Sequence, residues 1–180
     1  LFRKEPTVIF IFGGSGDLAH RKLMPALYNL YIDKYLPDDF YIVGIGRTDY
    51  SDTAYRNFIK KGIQEHSRRK DGLEERWKVF SKQIDYIKAD LEKERSYQQI
   101  KKIVTQKEKE WKADANVLFY MSVAPQLAPT IATKLHEAGL TKDPARSRMV
   151  FEKPFGHDLE SAKALNIQLG QMFQEHQIYR

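Results

Sequence analysis

The sequence predicts an α/β fold, in which a doubly wound, mainly parallel sheet carries helices on both faces. Short apolar runs, rich in β-branched and aromatic residues, alternate with longer segments of helical spacing along the chain. The runs are almost continuously apolar, which is typical of strands buried on both faces of a parallel sheet. No repeat, low-complexity segment or internal linker interrupts the pattern, so residues 1–180 are expected to form one domain.

Five strands are predicted from the apolar runs. They span Thr7–Phe12, Phe40–Gly46, Ile84–Ala89, Asn116–Val123 and Arg148–Lys153. Turn-forming residues support three of these ends: Gly13 follows the first strand, Pro125 ends the fourth and Pro154 ends the fifth.

Helical spacing of apolar side chains predicts six helices that alternate with these strands. They span Leu18–Tyr35, Asp49–Glu65, Leu73–Val79, Glu94–Trp111, Leu127–Ala138 and Asp158–His176. Pro25 is expected either to kink the first helix or to begin a fresh first turn. Ser51 or Asp52 is expected to cap the second helix and Asp158 the last, while Gly139 closes the fifth.

Composition excludes several classes of function. The chain has no cysteine, which excludes disulfides, thiolate metal sites and a cysteine nucleophile, and fits a cytoplasmic location. No apolar run approaches the ~20 residues that span a bilayer, so no membrane association is expected. The net charge is +6, but both signs are interleaved along Asp71–Lys112, as on solvated helix faces. No nucleic-acid motif is present, so nucleic-acid binding is the less favoured reading of this charge.

The turn after the first strand carries the pattern Gly13-x-x-Gly16-x-x-Ala19. Its position between a strand and a helix is the context of a Rossmann-type dinucleotide fingerprint. Gly13 permits a tight turn with positive φ, Gly16 allows close approach of a pyrophosphate, and Ala19 allows close packing of helix on strand. The alternative is a plain tight turn in which Asp17 caps the helix.

The segment Gly46-Arg47-Thr48 follows the second predicted strand. An acid at this position selects NAD by binding the ribose 2′-hydroxyl, whereas an arginine accommodates the 2′-phosphate of NADP. Arg47 therefore favours NADP, although it does not forbid NAD, and Asp49 lies close by. The alternative is a solvated surface arginine.

Two further segments end strands at the edge where ligands bind in open α/β sheets. Val123-Ala124-Pro125 could line a nicotinamide ribose or simply turn the chain. At the end of the fifth strand, Lys153 could bind a sugar hydroxyl, a phosphate or the cofactor, with Glu152 as a buried partner, or it could be an exposed turn residue. The five histidines have no metal-ligand spacing, so no metal is expected.

Two long segments give the chain a resemblance to the glucose-6-phosphate dehydrogenase family. Residues 12–23, Phe-Gly-Gly-Ser-Gly-Asp-Leu-Ala-His-Arg-Lys-Leu, resemble the family segment G-A-S-G-D-L-A-x-R-K-L, and Pro25–Leu30 continue the match. Residues 152–159, Glu-Lys-Pro-Phe-Gly-His-Asp-Leu, resemble E-K-P-F-G-x-D-L. Gln177–Arg180 are similar to the lead-in of its catalytic segment. Gly14 stands where the family usually has alanine, and Ser122–Pro125 differ from the common A-L-P-P.

The resemblance implies NADP-dependent oxidation of glucose 6-phosphate to 6-phosphogluconolactone, the entry step of the pentose phosphate pathway. The implied cofactor residues are Gly13, Gly14, Ser15, Gly16, Asp17, Leu18, Arg47, Met121, Ser122, Ala124 and Lys153. Asp17 belongs to the turn, but its negative charge disfavours direct contact with phosphate. Lys153 would contact substrate as well as cofactor, and Lys22 would lie near the substrate mouth.

The family's next motif is I-D-H-Y-L-G-K-E, whose histidine is the general base. The chain ends before this motif, so the resemblance implies a truncated coenzyme domain without the C-terminal substrate domain and without a catalytic residue. It is then expected to be inactive alone and to expose apolar surface where that domain packs, and the full-length protein is expected to be a homo-oligomer. The alternatives are a stand-alone NADP-binding module and a dehydrogenase like glucose–fructose oxidoreductase.

Overall fold

Six strands form one sheet in the part of the chain that the computed structural model describes, residues 5–154 and 158–180. The strands are β1 (Thr7–Phe12), β2 (Phe40–Gly46), β3 (Ile84–Lys88), β4 (Asn116–Met121), β5 (Ser147–Phe151) and β6 (Ile178–Tyr179). All neighbouring strands are parallel, and their order is β3-β2-β1-β4-β5-β6. This is the strand order of the doubly wound Rossmann fold, so the predicted fold class is confirmed.

Six α-helices connect or follow these strands within the described residues. They are α1 (Met24–Ile32), α2 (Asp52–His66), α3 (Leu73–Phe80), α4 (Glu94–Trp111), α5 (Ala128–Glu137) and α6 (Leu159–Met172). A π-helical stretch, Ala19–Leu23, leads into α1, and short 3₁₀ turns lie at Ser81–Gln83 and Glu175–Gln177. Pro25 lies in the first turn of α1, which confirms the reading of that proline as the start of a fresh turn.

The core lies in two layers, one on each face of the sheet. Because successive strand residues point to opposite faces, Val8 and Phe10 belong to one layer and Ile9 and Ile11 to the other. The first layer packs against α4, α5 and α6, and the second against α1, α2 and α3. Phe10 stacks on Phe119 of β4 with ring centroids 5.6 Å apart, which couples the two central strands.

The predicted helix caps are present. Ser51, not Asp52, caps α2, because its Oγ accepts from the Ala54 N–H at 3.1 Å. Asp158 accepts from the Ser161 N–H at 2.8 Å, and the Ser161 hydroxyl accepts from the Asp158 N–H at 3.0 Å, which forms a reciprocal capping box. Gly139 follows α5 with φ +74°.

Several predicted bounds were wrong near the ends of elements. β4 ends at Met121, not Val123, and β5 ends at Phe151, not Lys153. The last helix ends at Met172, not His176, because the chain becomes extended at Phe173 and leads into β6, which was not predicted.

Both α6 and β6 carry exposed apolar side chains. Leu159 and Ile167 on α6 are 69% and 64% exposed, and Tyr179 on β6 is 53% exposed. No helix within the described ranges is both long enough and apolar enough to cross a membrane.

Candidate functional site

β1 and β4 lie side by side at the point where the strand order reverses, and the turn after β1 lies at their carboxyl ends. Gly13 adopts φ +82°, as predicted. A Cβ on Gly13 would lie 1.8 Å from the carbonyl oxygen of Ser122, so the backbone after β4 approaches too closely for any side chain. The Gly16 N–H donates to the Gly13 carbonyl at 2.9 Å and closes the turn.

Gly14 packs the turn against β2. The N–H groups of Gly13 and Gly14 both donate to the Ile45 carbonyl, at 2.9 and 3.0 Å. A Cβ on Gly14 would lie 2.6 Å from the Cα of Gly44, so an alanine here would force the turn and β2 apart. The Tyr55 hydroxyl, on α2, donates to the Gly14 carbonyl at 2.9 Å in a buried position. Glycine at position 14 is therefore required by packing in this chain.

Beyond Gly16 the turn opens to solvent. Gly16 is exposed, and a Cβ there would meet only the Gly13 carbonyl oxygen, at 3.1 Å. Among the residues that the structure describes, the amide N–H groups of Ser15, Asp17 and Leu18 have no hydrogen-bond acceptor. Unpaired N–H groups at a helix start, aided by the helix dipole, are the donors that bind phosphate oxygens.

The start of the helix is held by its neighbours. Ala19 is fully buried, which confirms its predicted role in close packing of the helix. The His20 N–H donates to the Gly16 carbonyl at 3.1 Å. The alternative in which Asp17 caps the helix is wrong, because its carboxylate is exposed and accepts from Arg21 at 3.3 Å instead. The cap position is Leu18, which makes no side-chain cap hydrogen bond.

The end of β2 lies against this turn and brings Arg47 to it. A Cβ on Gly46 would lie 2.6 Å from the Ser15 Oγ, and the Thr48 hydroxyl donates to that Oγ at 3.2 Å. Arg47 is exposed and has no hydrogen-bond or ion-pair partner among residues 5–154 and 158–180. The nearby acid, Asp49, pairs with Lys88 at 2.7 Å. The arginine is therefore available to an anionic ligand, while the acid already has a cation.

The end of β4 contributes backbone more than side chains. Met121 is only 2% exposed and its side chain packs in the core, so only its backbone faces the edge of the sheet. Ser122 is half-buried, and its N–H donates to the Phe12 carbonyl at 2.9 Å. Ala124 is exposed beyond it.

The two predicted substrate lysines lie in different places. Lys153 is exposed directly after β5, while Phe155, Gly156 and His157 of the same motif lie outside the described residues. Lys22 is exposed and lines a cavity of about 640 Å³ with Arg21, His66 and Arg68, and Lys153 is not among the lining residues.

Glu152 was predicted to be a buried partner of Lys153, but the structure shows that it is exposed. Its carboxylate accepts from the Tyr120 hydroxyl of β4. Burial, together with this hydrogen bond, raises the pKa of Tyr120 above its ordinary value. The tyrosine therefore remains a donor to Glu152 and ties the residue before Lys153 to the neighbouring strand.

Sequence reasoning missed the residues that support the turn from behind. Tyr55 on α2 and Gly44 on β2 fit each other, because a Cβ on Gly44 would lie 2.1 Å from the Tyr55 hydroxyl oxygen. Tyr86 on β3 donates to the Thr48 carbonyl at 2.9 Å and so fixes the loop that carries Arg47. No local sequence pattern predicts these contacts, because each one joins residues from different elements.

The strand order, the glycine turn at the switch point and its open N–H groups define a dinucleotide-binding domain of the Rossmann class. A sequence model of the family "Glucose-6-phosphate dehydrogenase, NAD binding domain" matches residues 10–180. The chain belongs to this family, and its domain is of the kind that binds a nicotinamide dinucleotide.

Individual relatives agree with this assignment. The chain is 38% identical over 178 residues to glucose-6-phosphate 1-dehydrogenase of Bacillus subtilis (strain 168), covering 99% of this chain and 35% of the relative. The enzyme of Aggregatibacter actinomycetemcomitans is 36% identical over 179 residues, which are 99% of this chain and 36% of that relative. The chain thus spans about a third of the length of these relatives.

Solved structures give the same result. A glucose-6-phosphate dehydrogenase in complex with its substrate glucose-6-phosphate superposes with a TM-score of 0.88 at 33% identity, over 98% of this chain and 36% of that one. Glucose-6-phosphate 1-dehydrogenase from Mycobacterium avium gives 0.82 at 27% identity, over 96% of this chain and 35% of that one.

Proposed function

We propose that this chain binds NADP, with the pyrophosphate on the turn Gly13–Leu18 and the 2′-phosphate on Arg47. The open N–H groups of Ser15, Asp17 and Leu18 are the single observation that carries the proposal, because they are donors at a helix start with no acceptor among the described residues. Gly16 keeps that space free of a side chain. The nicotinamide, when bound, supplies hydride transfer chemistry.

The choice of NADP over NAD rests on the charges after β2. Arg47 is exposed without a protein partner in the described part of the chain, and its planar guanidinium matches phosphate oxygens in pairs. Asp49, which could otherwise bind a ribose 2′-hydroxyl, is paired with Lys88. Because an exposed ion pair of this kind is weak, Asp49 can give up Lys88 for a ribose hydroxyl. NAD is therefore expected to bind more weakly than NADP but not to be excluded.

Calorimetric titration of the chain with NADP and with NAD tests this proposal. Arg47→Ala should weaken NADP binding by about 10-fold or more, the equivalent of a charge-assisted hydrogen bond or better, and leave NAD nearly unchanged. Lys109→Ala removes the same charge at the far end of α4 and should change neither affinity. Equal loss for both nucleotides in Arg47→Ala would show that the arginine does not read the 2′-phosphate.

We further propose that the whole protein oxidises glucose 6-phosphate to 6-phosphogluconolactone and works as a homo-oligomer. Support comes from the relatives, which are glucose-6-phosphate 1-dehydrogenases about three times as long. Lys153, exposed at the carboxyl end of β5, would contact both sugar phosphate and cofactor, and Lys22 would lie nearer the mouth.

The 180 residues alone are expected to bind the cofactor without turning over substrate. The family motif that holds the general base is not among them, and loss of such a base typically costs ~10²–10⁴-fold before lost positioning of the sugar phosphate is counted. NADPH absorbance should stay flat when the chain is mixed with NADP and glucose 6-phosphate. Steady turnover by the purified chain would overturn this expectation.

A further inference from the structure

Three potential metal ligands from two separate elements meet where the π-helical stretch packs on the end of α2. His20 comes from the π-helical stretch, and Glu65 and His66 come from the last turn of α2. One donor atom from each residue lies within 4.8 Å of the other two. We propose that His20, Glu65 and His66 form a binding site for Zn²⁺, which the sequence-based expectation of no metal did not include.

The spacing of the donor atoms suits a tetrahedral ion. Zinc at about 2.1 Å from each donor places neighbouring donors about 3.4 Å apart. The Glu65 Oε2 lies 3.8 Å from the His20 Nε2 and 3.5 Å from the His66 Nε2. Both distances are slightly longer than that spacing, so the donor atoms must move closer together to hold the ion. His66 lies at the exposed end of the helix and His20 is partly buried, so this movement is expected mainly of His66.

Packing fixes the position of the His20 side chain without a metal ion. Its side chain is only 16% exposed and packs on Phe58 with ring centroids 4.5 Å apart. Gly62 of α2 makes this possible, because a Cβ there would lie 2.3 Å from the His20 carbonyl oxygen and 2.9 Å from its Nδ1. The ring is therefore pressed on the helix with its Nε2 edge toward Glu65.

The helix end favours a cation at this point, whereas nearby basic side chains oppose it. Glu65 and His66 end a 15-residue helix, where the helix dipole is negative. Lys61 approaches the other carboxylate oxygen of Glu65, Oε1, at 3.9 Å, and leaves Oε2 facing the two imidazoles. Arg21, Lys22 and Arg68 line the adjacent cavity with His66, and they oppose the ion from that side.

The donor set indicates which metal and how tightly it binds. Two imidazoles and one carboxylate without thiolate suit zinc and leave a fourth position for water. The His20 Nδ1 is buried without a hydrogen-bond partner among the described residues. A missing partner for the second ring nitrogen typically lowers metal affinity by about 10- to 100-fold, so the site is expected to be weaker than a fully supported one.

Titration of the apo chain with ZnCl₂ tests the site. We expect one ion per chain, a thermal midpoint that rises with Zn²⁺, and a tetrahedral visible spectrum when Co²⁺ is used as the probe. Glu65→Gln and His66→Gln should each weaken binding by at least about 10-fold and abolish the spectrum. Both side chains are exposed, so these variants are expected to fold.

The end of α5 supplies the matched control. His136 and Glu137 are also an adjacent histidine and glutamate at a helix end, but within the described residues no second histidine joins them. His136→Gln and Glu137→Gln should leave zinc binding unchanged. Absence of saturable binding, or equal weakening in these controls and in the site variants, would overturn the proposal.

Discussion

Gly13 must satisfy two constraints that no other residue type meets. Its φ of +82° disfavours any L side chain, and the Ser122 carbonyl occupies the place where a Cβ would be. The first constraint could be predicted from the turn pattern, because a tight turn after a strand needs positive φ. The second could not, since it depends on a strand that lies about a hundred residues later.

Gly13→Ala is expected to lower the free energy of unfolding by more than about 2 kcal/mol, through left-handed strain and a clash with backbone that cannot move aside. Gly170→Ala is the control, because Gly170 lies within α6 with nothing near a Cβ. Alanine there should instead stabilise the chain by about 0.5–1 kcal/mol. Urea denaturation midpoints measure both, and a neutral Gly13→Ala would contradict the role assigned to this glycine.

Other single residues also differ in whether their roles could be predicted from the sequence. The exposed position of Arg47 directly after β2 could be predicted, because the end of the strand and the residue type are visible in the sequence. The partner of Asp17 and the support of the turn by Tyr55 could not, because they depend on which side chains three-dimensional packing brings near.

At the scale of elements, strongly patterned segments were predicted with their observed bounds. β1, β2 and α4 agree at both ends, since β1 and β2 are unbroken apolar runs and α4 is a long segment of helical spacing, each with clear limits. β6 has only two residues, too few for any periodicity to show. The π-helical stretch has no local signal either, because His20 is pressed on Gly62 of another helix.

The α2 helix depends on its cap, which holds the first turn close to Tyr55. Ser51→Ala is expected to cost about 1 kcal/mol of stability and to speed amide exchange at Ala54, whose N–H loses its acceptor. Ser51→Asp keeps an acceptor and should stay within a few tenths of a kcal/mol of the wild type. Chemical denaturation and hydrogen exchange check both variants, and equal loss in the two would show that capping is not the cause.

At the scale of the whole molecule, buried tyrosines set the behaviour at high pH. Burial raises the pKa of Tyr55 and of Tyr97 above the ordinary value of 10.0, and for Tyr97 the charge of Asp90 adds to this. Above pH 10 the unfolded chain loses these protons while the folded chain keeps them. The stability linked to each tyrosine is therefore fully present below pH 10 and is lost as the pH rises from there.

The free energy of unfolding should thus fall above pH 10 by up to about 1.4 kcal/mol per pH unit for each such tyrosine. Tyr97→Phe should reduce the slope of the free energy of unfolding against pH by the contribution of one tyrosine, even if the variant is less stable at neutral pH. Denaturant titrations at a series of pH values, followed by circular dichroism, measure the slope. An unchanged slope in Tyr97→Phe would show that its hydroxyl titrates alike in the folded and unfolded chain.

The central place of β1 also governs how the chain reaches its fold. Its partner β2 follows within a few tens of residues, but β4, which covers the other edge of β1, begins at Asn116. A nascent or refolding chain therefore holds the uncharged run Val8–Phe12 with one edge unpaired until most of the sequence is present. Loss of material by intermolecular strand pairing in this interval is the main hazard of refolding at high concentration, and slow dilution at low concentration reduces it.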